Sequence, residues 1–291
     1  MFAQQIYSMY RSVNNNNSTG KGAMAALLPV FVFLSCLTIS ANENYPLGSR
    51  AAAMGNAFVA VSDLWSVHHN QAGLGSLKNF QAGFHHENRF LTPEFGLQAL
   101  AFVMPARPGT IGVSYSYFGF SRYNESKLGL AFGRKFGERV AAGLQVNYLH
   151  TYIAQDYGDT GNITVEGGFI AQPVDGLFVA AHIYNPTRKT ITTYYGNPVP
   201  TTIRFGMAGY LNENVLASVE VEKENNFDPV LKGGLEVVVI ESLYLRAGIN
   251  SRPVQASFGL GYVLGGIALD IAFTNHQVLG LTPHFSASYK F

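Results

Sequence analysis

From residue 79 onward apolar side chains recur at every second position, and that period most limits what this chain can fold into. In Val140–Ala154, Val140, Ala142, Leu144, Val146 and Tyr148 share one face, with Gly143, Gln145 and Asn147 on the other. Leu243–Asn250 sets Leu243, Leu245, Ala247 and Ile249 against Tyr244, Arg246 and Asn250. Gly266–Thr274 sets Ile267, Leu269, Ile271 and Phe273 against Ala268, Asp270 and Thr274. Successive strand side chains point to opposite faces, so each segment reads as a strand with one apolar and one polar or small face. About fourteen such strands are predicted, near 80–87, 94–104, 110–118, 125–136, 140–154, 162–172, 177–184, 201–211, 215–223, 230–240, 243–250, 255–263, 266–274 and 283–291. Most have the length of a tilted strand crossing a bilayer.

Composition favours the membrane. Only 13% of residues are charged, while Gly (31), Tyr (16) and Phe (21) are abundant. No stretch after residue 41 holds the roughly 18 apolar residues of a spanning helix. The pattern predicts an all-β fold, an antiparallel up-and-down transmembrane barrel of about 14 strands.

Connections read as alternately short and long. Gly137–Arg139, Pro173–Gly176, Asn212–Asn214, Glu241-Ser242 and Leu264-Gly265 are short; Phe118–Asn124, Gln155–Gly161, Asn185–Pro200, Glu224–Pro229 and Asn275–Thr282 are longer. Outer-membrane barrels have short periplasmic turns and longer outer loops, so both ends of the barrel are expected in the periplasm. The final strand aligns Phe285, Ala287, Tyr289 and Phe291, which resembles the C-terminal signal presented to the barrel assembly machinery. With one tryptophan, Trp65, the interfacial aromatic belt falls to residues such as Tyr115, Tyr117, Tyr148, Tyr152, Phe285 and Tyr289. The net charge of +1, without a basic run, gives no reason to expect nucleic acid as a partner.

Lys21 precedes the short apolar run Ala25–Ile39, followed by Ser40-Ala41-Asn42. This reads as a secretory signal cleaved near Ala41. The one cysteine, Cys36, lies inside it, so the mature chain is expected to have no disulfide and no thiol chemistry. The expected organisation is an extension and signal peptide over 1–41, a plug over 42–78 and the barrel over 79–291.

If the apolar faces meet lipid, the others line a lumen. They carry Glu166, Arg204, Glu220, Glu222, Lys232, Glu236, Arg246, Asp270 and Lys290, with opposite charges on neighbouring strands. Such charges form either a ladder satisfying a closed interior or a polar conduit. Gly112, Gly129, Gly133, Gly143, Gly168, Gly206, Gly259 and Gly261 also point inward and leave room for a plug.

The plug candidate is Gly48–Leu74, GSRAAAMGNAFVAVSDLWSVHHNQAGL, the part of the mature chain that does not alternate. Its Arg50-Ala51-Ala52-Ala53-Met54-Gly55-Asn56-Ala57-Phe58-Val59-Ala60-Val61-Ser62-Asp63, followed by Asn70-Gln71-Ala72-Gly73-Leu74, resembles the N-terminal hatch of FadL-like outer-membrane barrels. That group includes fatty-acid and hydrocarbon channels and the PorV/PorQ-type proteins of Bacteroidetes type IX secretion. Gln71 stands where the family usually has Pro. The resemblance implies a hatch built on Arg50, Met54, Gly55, Phe58, Asp63, Asn70, Gln71, Ala72, Gly73 and Leu74. It also implies passage of small hydrophobic molecules gated by that hatch. Its alternative implication is a PorV/PorQ-like component of protein secretion or surface attachment. A structural barrel with a sealed lumen is the third reading. Expected partners are outer-membrane lipid, the assembly machinery, and a small hydrophobic ligand or secretion proteins.

Enzyme chemistry is not expected, because no G-x-S-x-G, H-E-x-x-H or phosphate loop is present. Nor is a cofactor or metal. His68-His69 lie in the plug and His85-His86 precede Glu87, but adjacent strand residues face opposite ways, so His85 and His86 do not share a ligand. His276 and His284 are expected to face solvent beside the last outer loop.

Overall fold

Fourteen antiparallel strands, each paired with its neighbours in sequence, close through β1 and β14 into a barrel in the computed structural model. The structure describes residues 44–154, 158–187, 199–225 and 227–291. The signal-peptide reading over 1–41 and most of the long connection read over Asn185–Pro200 lie outside them. The strands are β1 (Gln81–Asn88), β2 (Gly96–Pro105), β3 (Thr110–Phe120), β4 (Tyr123–Phe136), β5 (Val140–Ile153), β6 (Gly158–Val174) and β7 (Leu177–Tyr184). Then follow β8 (Thr202–Asn212), β9 (Val215–Glu224), β10 (Val230–Ile240), β11 (Leu243–Ser251), β12 (Val254–Leu264), β13 (Ile267–His276) and β14 (Gly280–Lys290).

Burial is inverted relative to a water-soluble protein. On β5, Leu144 is 72% exposed while Gln145 and Asn147 are buried at 1% and 0%. Large apolar side chains such as Leu130, Phe205, Leu231, Ile249 and Phe258 cover the outside, as lipid requires. Among the described residues no helix is long and apolar enough to cross a membrane; the strands do so.

Loop parity is weaker than the sequence suggests. The connection expected over Phe118–Asn124 shrinks to Ser121-Arg122, and that over Asn275–Thr282 to residues 277–279. Ladder pairing continues past the apolar zone, for instance Phe120 with Tyr123. There, water wets both faces and no alternation marks the strand. The seven residues Arg89–Phe95 and the segment from Asn185 to Thr201 remain the longer connections at that end.

The lumen holds the segment before β1. It forms helix α1 (Ser49–Ala53), helix α2 (Ser66–His69) and a 3-10 turn, Gln71–Ser76. Met54, Phe58, Asn70, Gln71 and Leu74 are fully buried. The plug therefore fills the barrel with its own core residues.

Candidate functional site

The hatch is shaped by backbone positions that glycine permits. After α1 the chain reverses through Gly55 and Asn56, at φ 64° and 58°. A Cβ on Gly55 would sit 2.7 Å from the backbone of Ile249. The Met54-Gly55-Asn56 signature is thus both a left-handed turn and a point of close approach to β11. At Asn70 the chain is extended (φ −164°, ψ 106°), and its side chain caps the next turn by accepting from Ala72 N at 3.2 Å. Its amide also donates to Val59 O at 2.8 Å. Gln71, in the usual Pro position, continues the turn and donates to Val67 O at 3.3 Å. Gly73 lies against Ser66, whose Oγ accepts from Asp63 N at 3.0 Å.

The wall around it is partly glycine. A Cβ on Gly259 would stand 2.7 Å from Ala53 Cβ; on Gly206, 2.5 Å from Val59 Cγ1; and on Gly112, 2.8 Å from Val67 Cγ2. Gly133 and Gly143 abut the Gln71 backbone, and Gly168 abuts Asn70. Gly129 and Gly261 instead make room for wall side chains, Gln145 and Arg246. Two further glycines take the same part: Gly234 against Met54 and Gly248 against Gly55.

The lumen charges gather into three groups, two of which grip the hatch. Arg50 holds Glu236 with two bonds, Nε to Oε2 at 2.8 Å and Nη2 to Oε1 at 2.6 Å. It also reaches Asp63 at 3.4 Å, so the two charged ends of the hatch motif meet. Arg246 continues the group, binding Glu236 and Asp270 at 2.6 Å each. In the second group Glu220 accepts the Phe58 and Val59 N–H groups at 2.9 and 2.8 Å, and Lys232 bridges Glu220 and Glu222 at 3.1 and 2.7 Å. The third group centres on Glu166, whose Oε1 accepts from Lys127, Gln145 and Asn147 at 2.9 Å each. His182 lies 3.1 Å from its other oxygen, and Arg204 lies 2.9 Å from His182. Lys290 stands apart, exposed at the end of β14 with no ion pair to the described residues. Paired charges of this kind form a ladder and a seat for the hatch.

A different surface faces the hatch from β2. There Leu97, Ala99, Ala101 and Val103 point into the lumen, buried to 2% or less, against Leu47, Leu64, Trp65, Val67 and Leu74. Because Leu100, Phe102 and Met104 face outward, β2 is apolar on both sides, and no alternation betrays its inner face. A cleft at the hatch edge, lined by Tyr45, His68, Phe118, Glu125, Lys127 and Leu149, has about 20 Å³ of space, enough for one water.

Not all the histidines follow expectation. His68 and His69 are buried in the hatch, and His69 Nε2 donates to Leu47 O at 2.7 Å. Burial, reinforced by the positive charge of Arg204, pushes His69 down to about 3. His284 does not face solvent: it is 7% exposed on the lumen side. β14 begins at Gly280 rather than 283, and Phe285 facing lipid turns His284 inward. His276 is half-buried at the end of β13, where its Nδ1 accepts from Val278 N and Leu279 N at 3.1 Å. At the C-terminal end, Phe285, Tyr289 and Phe291 lie on the outer surface, with Phe80 edge-on to Phe291 at 4.7 Å.

No protein-family model matches this sequence, and no curated protein matches it. Solved structures do. The CymD monoaromatic hydrocarbon channel is similar with a TM-score of 0.66 at 11% identity, covering 84% of this chain and 97% of that one. The Ralstonia pickettii toluene transporter TbuX gives 0.64 at 10% identity, covering 84% and 98%. A Pseudomonas aeruginosa FadL homologue gives 0.63 at 12% identity, covering 85% and 99%. At such identities the likeness is one of fold: this chain shares the closed barrel of those proteins.

Proposed function

We propose that this barrel lies in the outer membrane and passes small hydrophobic molecules, with the Gly48–Leu74 hatch as its gate. The observation that carries the reading is the apolar inner face of β2, a stripe that has no role in a water-filled pore. The hatch covers this stripe, and withdrawing the hatch offers a hydrocarbon a continuous apolar wall. Transfer then needs only binding and diffusion, since each buried CH₂ contributes about 0.8 kcal/mol. The similar structures named as hydrocarbon channels and toluene transporters support it. In this reading a signal peptide directs export. The strand carrying Phe285, Tyr289 and Phe291 engages the assembly machinery, and the chain ends lie in the periplasm. No catalytic step is involved.

Proteoliposome uptake of labelled toluene or fatty acid tests this. Uptake above that of empty liposomes, altered by deleting Gly48–Leu74, is expected. Uptake equal to empty liposomes with or without the hatch would sink it.

One observation favours a second reading. Two connections at the end away from the chain termini, Ser121-Arg122 and Arg252-Pro253, are two-residue turns, which offer little for capturing ligand. A PorV/PorQ-like protein that binds secretion or surface-attachment proteins at its rim has no need of capture loops. Recovering the barrel alone from solubilised membranes would count against this. Planar-bilayer recordings without conductance, and no partner, would leave a sealed structural barrel.

A further inference from the structure

The seam where the barrel closes carries a cluster that hatch seating does not use. His85 and Glu87 are two apart on β1 and so share the lumen face. Glu87 pairs across the seam with His284 of β14. All three are buried, and one potential ligand atom from each lies within 4.8 Å of the others.

Each imidazole is oriented by a hydroxyl. His85 Nδ1 lies 2.9 Å from Ser286 Oγ, and His284 Nε2 lies 3.1 Å from Thr274 Oγ1. The other nitrogens, His85 Nε2 and His284 Nδ1, face the same carboxylate oxygen, Glu87 Oε2, at 3.7 and 3.2 Å without forming a hydrogen bond. Arg89 engages the opposite oxygen, Oε1. At these positions neither nitrogen completes a hydrogen bond to that oxygen, although the three atoms converge on one point. One cation between them satisfies both.

We propose that His85 Nε2, Glu87 Oε2 and His284 Nδ1 bind one divalent transition-metal ion, zinc by its ligand chemistry, across the β1–β14 seam. Two imidazole nitrogens and one carboxylate oxygen are a zinc ligand set, with a fourth position left for water. Ligands at about 2.0–2.1 Å from zinc sit about 3.4 Å apart in a tetrahedron, so the cluster contracts by roughly 1 Å on binding. Ser286 and Thr274 supply the outer hydrogen bonds that fix each ring. The ion ties the first strand to the last beside the strand pairing and the His85–Ser286 bond that already join them. It also touches the hatch indirectly. Trp65 stands edge-on to His85 at 5.8 Å, and Ser286 Oγ accepts Ser49 N at 2.9 Å.

The test uses the tag-free full-length barrel in detergent, stripped with EDTA and titrated with Co²⁺. Expected are tetrahedral d–d absorption saturating at one ion per barrel, displacement by Zn²⁺, and quenching of Trp65, the only tryptophan. Zinc should also raise the temperature at which the folded band is lost on a gel. His284→Ala and Glu87→Gln should weaken Co²⁺ binding at least about tenfold. His86→Ala, on the opposite face, should not. If His284→Ala fails to fold, His284→Gln takes its place, and the unsubstituted barrel remains decisive. No saturable Co²⁺ spectrum in that barrel, or equal binding in the His284 and Glu87 variants, would overturn the proposal.

Discussion

Two walls of one lumen hold the same hatch by different physics. Along β2 the contact is side chain against side chain, Leu97, Ala99, Ala101 and Val103 on Leu47, Leu64, Trp65, Val67 and Leu74. Across the barrel, β9–β12 offer glycine backbone and charge: Gly234, Gly248 and Gly259 beneath α1 and its turn, with Glu220 and Glu236 as anchors. Apolar contact grows with buried area and tolerates sliding. Bidentate ion pairs and backbone-to-backbone approach hold in one position only. The polar wall thus fixes where the hatch sits, and in the proposed gating the apolar wall is the surface to be uncovered.

Removing the anchor should do the most damage. Glu220→Ala leaves two buried hatch N–H groups without their acceptor and Lys232 with Glu222 alone, and should cost about 3–5 kcal/mol. Urea unfolding followed by Trp65 fluorescence measures it, and no loss would mean that the charged wall is not a seat. Leu97→Ala on the apolar wall should cost about 3 kcal/mol. If it destabilises more than Glu220→Ala, the comparison is reversed.

Gly248→Ala pushes a methyl into the Gly55 backbone and should cost about 1–3 kcal/mol, with faster protease cleavage in the hatch. Ala101→Gly, the matching change on β2, should cost no more than about 1 kcal/mol. Equal effects would remove the distinction between a wall of position and a wall of area.

The mildest effect is with pH. His69 is held neutral, its pKa lowered by burial, so it contributes seating stability above its unfolded pKa of about 6.5. That contribution fades as pH falls from there toward 3. Hatch release on acidification should be reduced in His69→Gln, and an unchanged pH profile would count against this role.

The barrel was readable because lipid writes a period of two wherever one face is apolar, as in β5 and β13. The same reasoning lost the strand ends. In β6, Gly158, Asp159 and Thr160 are paired strand residues that water wets on both faces, so they look like loop. It places β2, near 94–104, but not the role of that strand's inner face, because an apolar lumen face hides the alternation. Arg50 and Asp63 were legible as a motif. The partner of Arg50, Glu236, lies 186 residues away, and no spacing rule reaches that far without the register. His284 needed the same register: its role depends on standing opposite Glu87.

The hydrogen bond from Ser49 to Ser286 joins residues 237 apart, and this bears on how the molecule is made. Contacts so distant in sequence form late, because the intervening chain must first lose its freedom. Ser286 belongs to β14, the strand that also closes the ring on β1. The bond from Ser49 is therefore available only once the closing strand is in place. A chain that closes without its N-terminal segment in place lacks that bond. Completion of the cylinder thus also completes the seat of the segment that fills it.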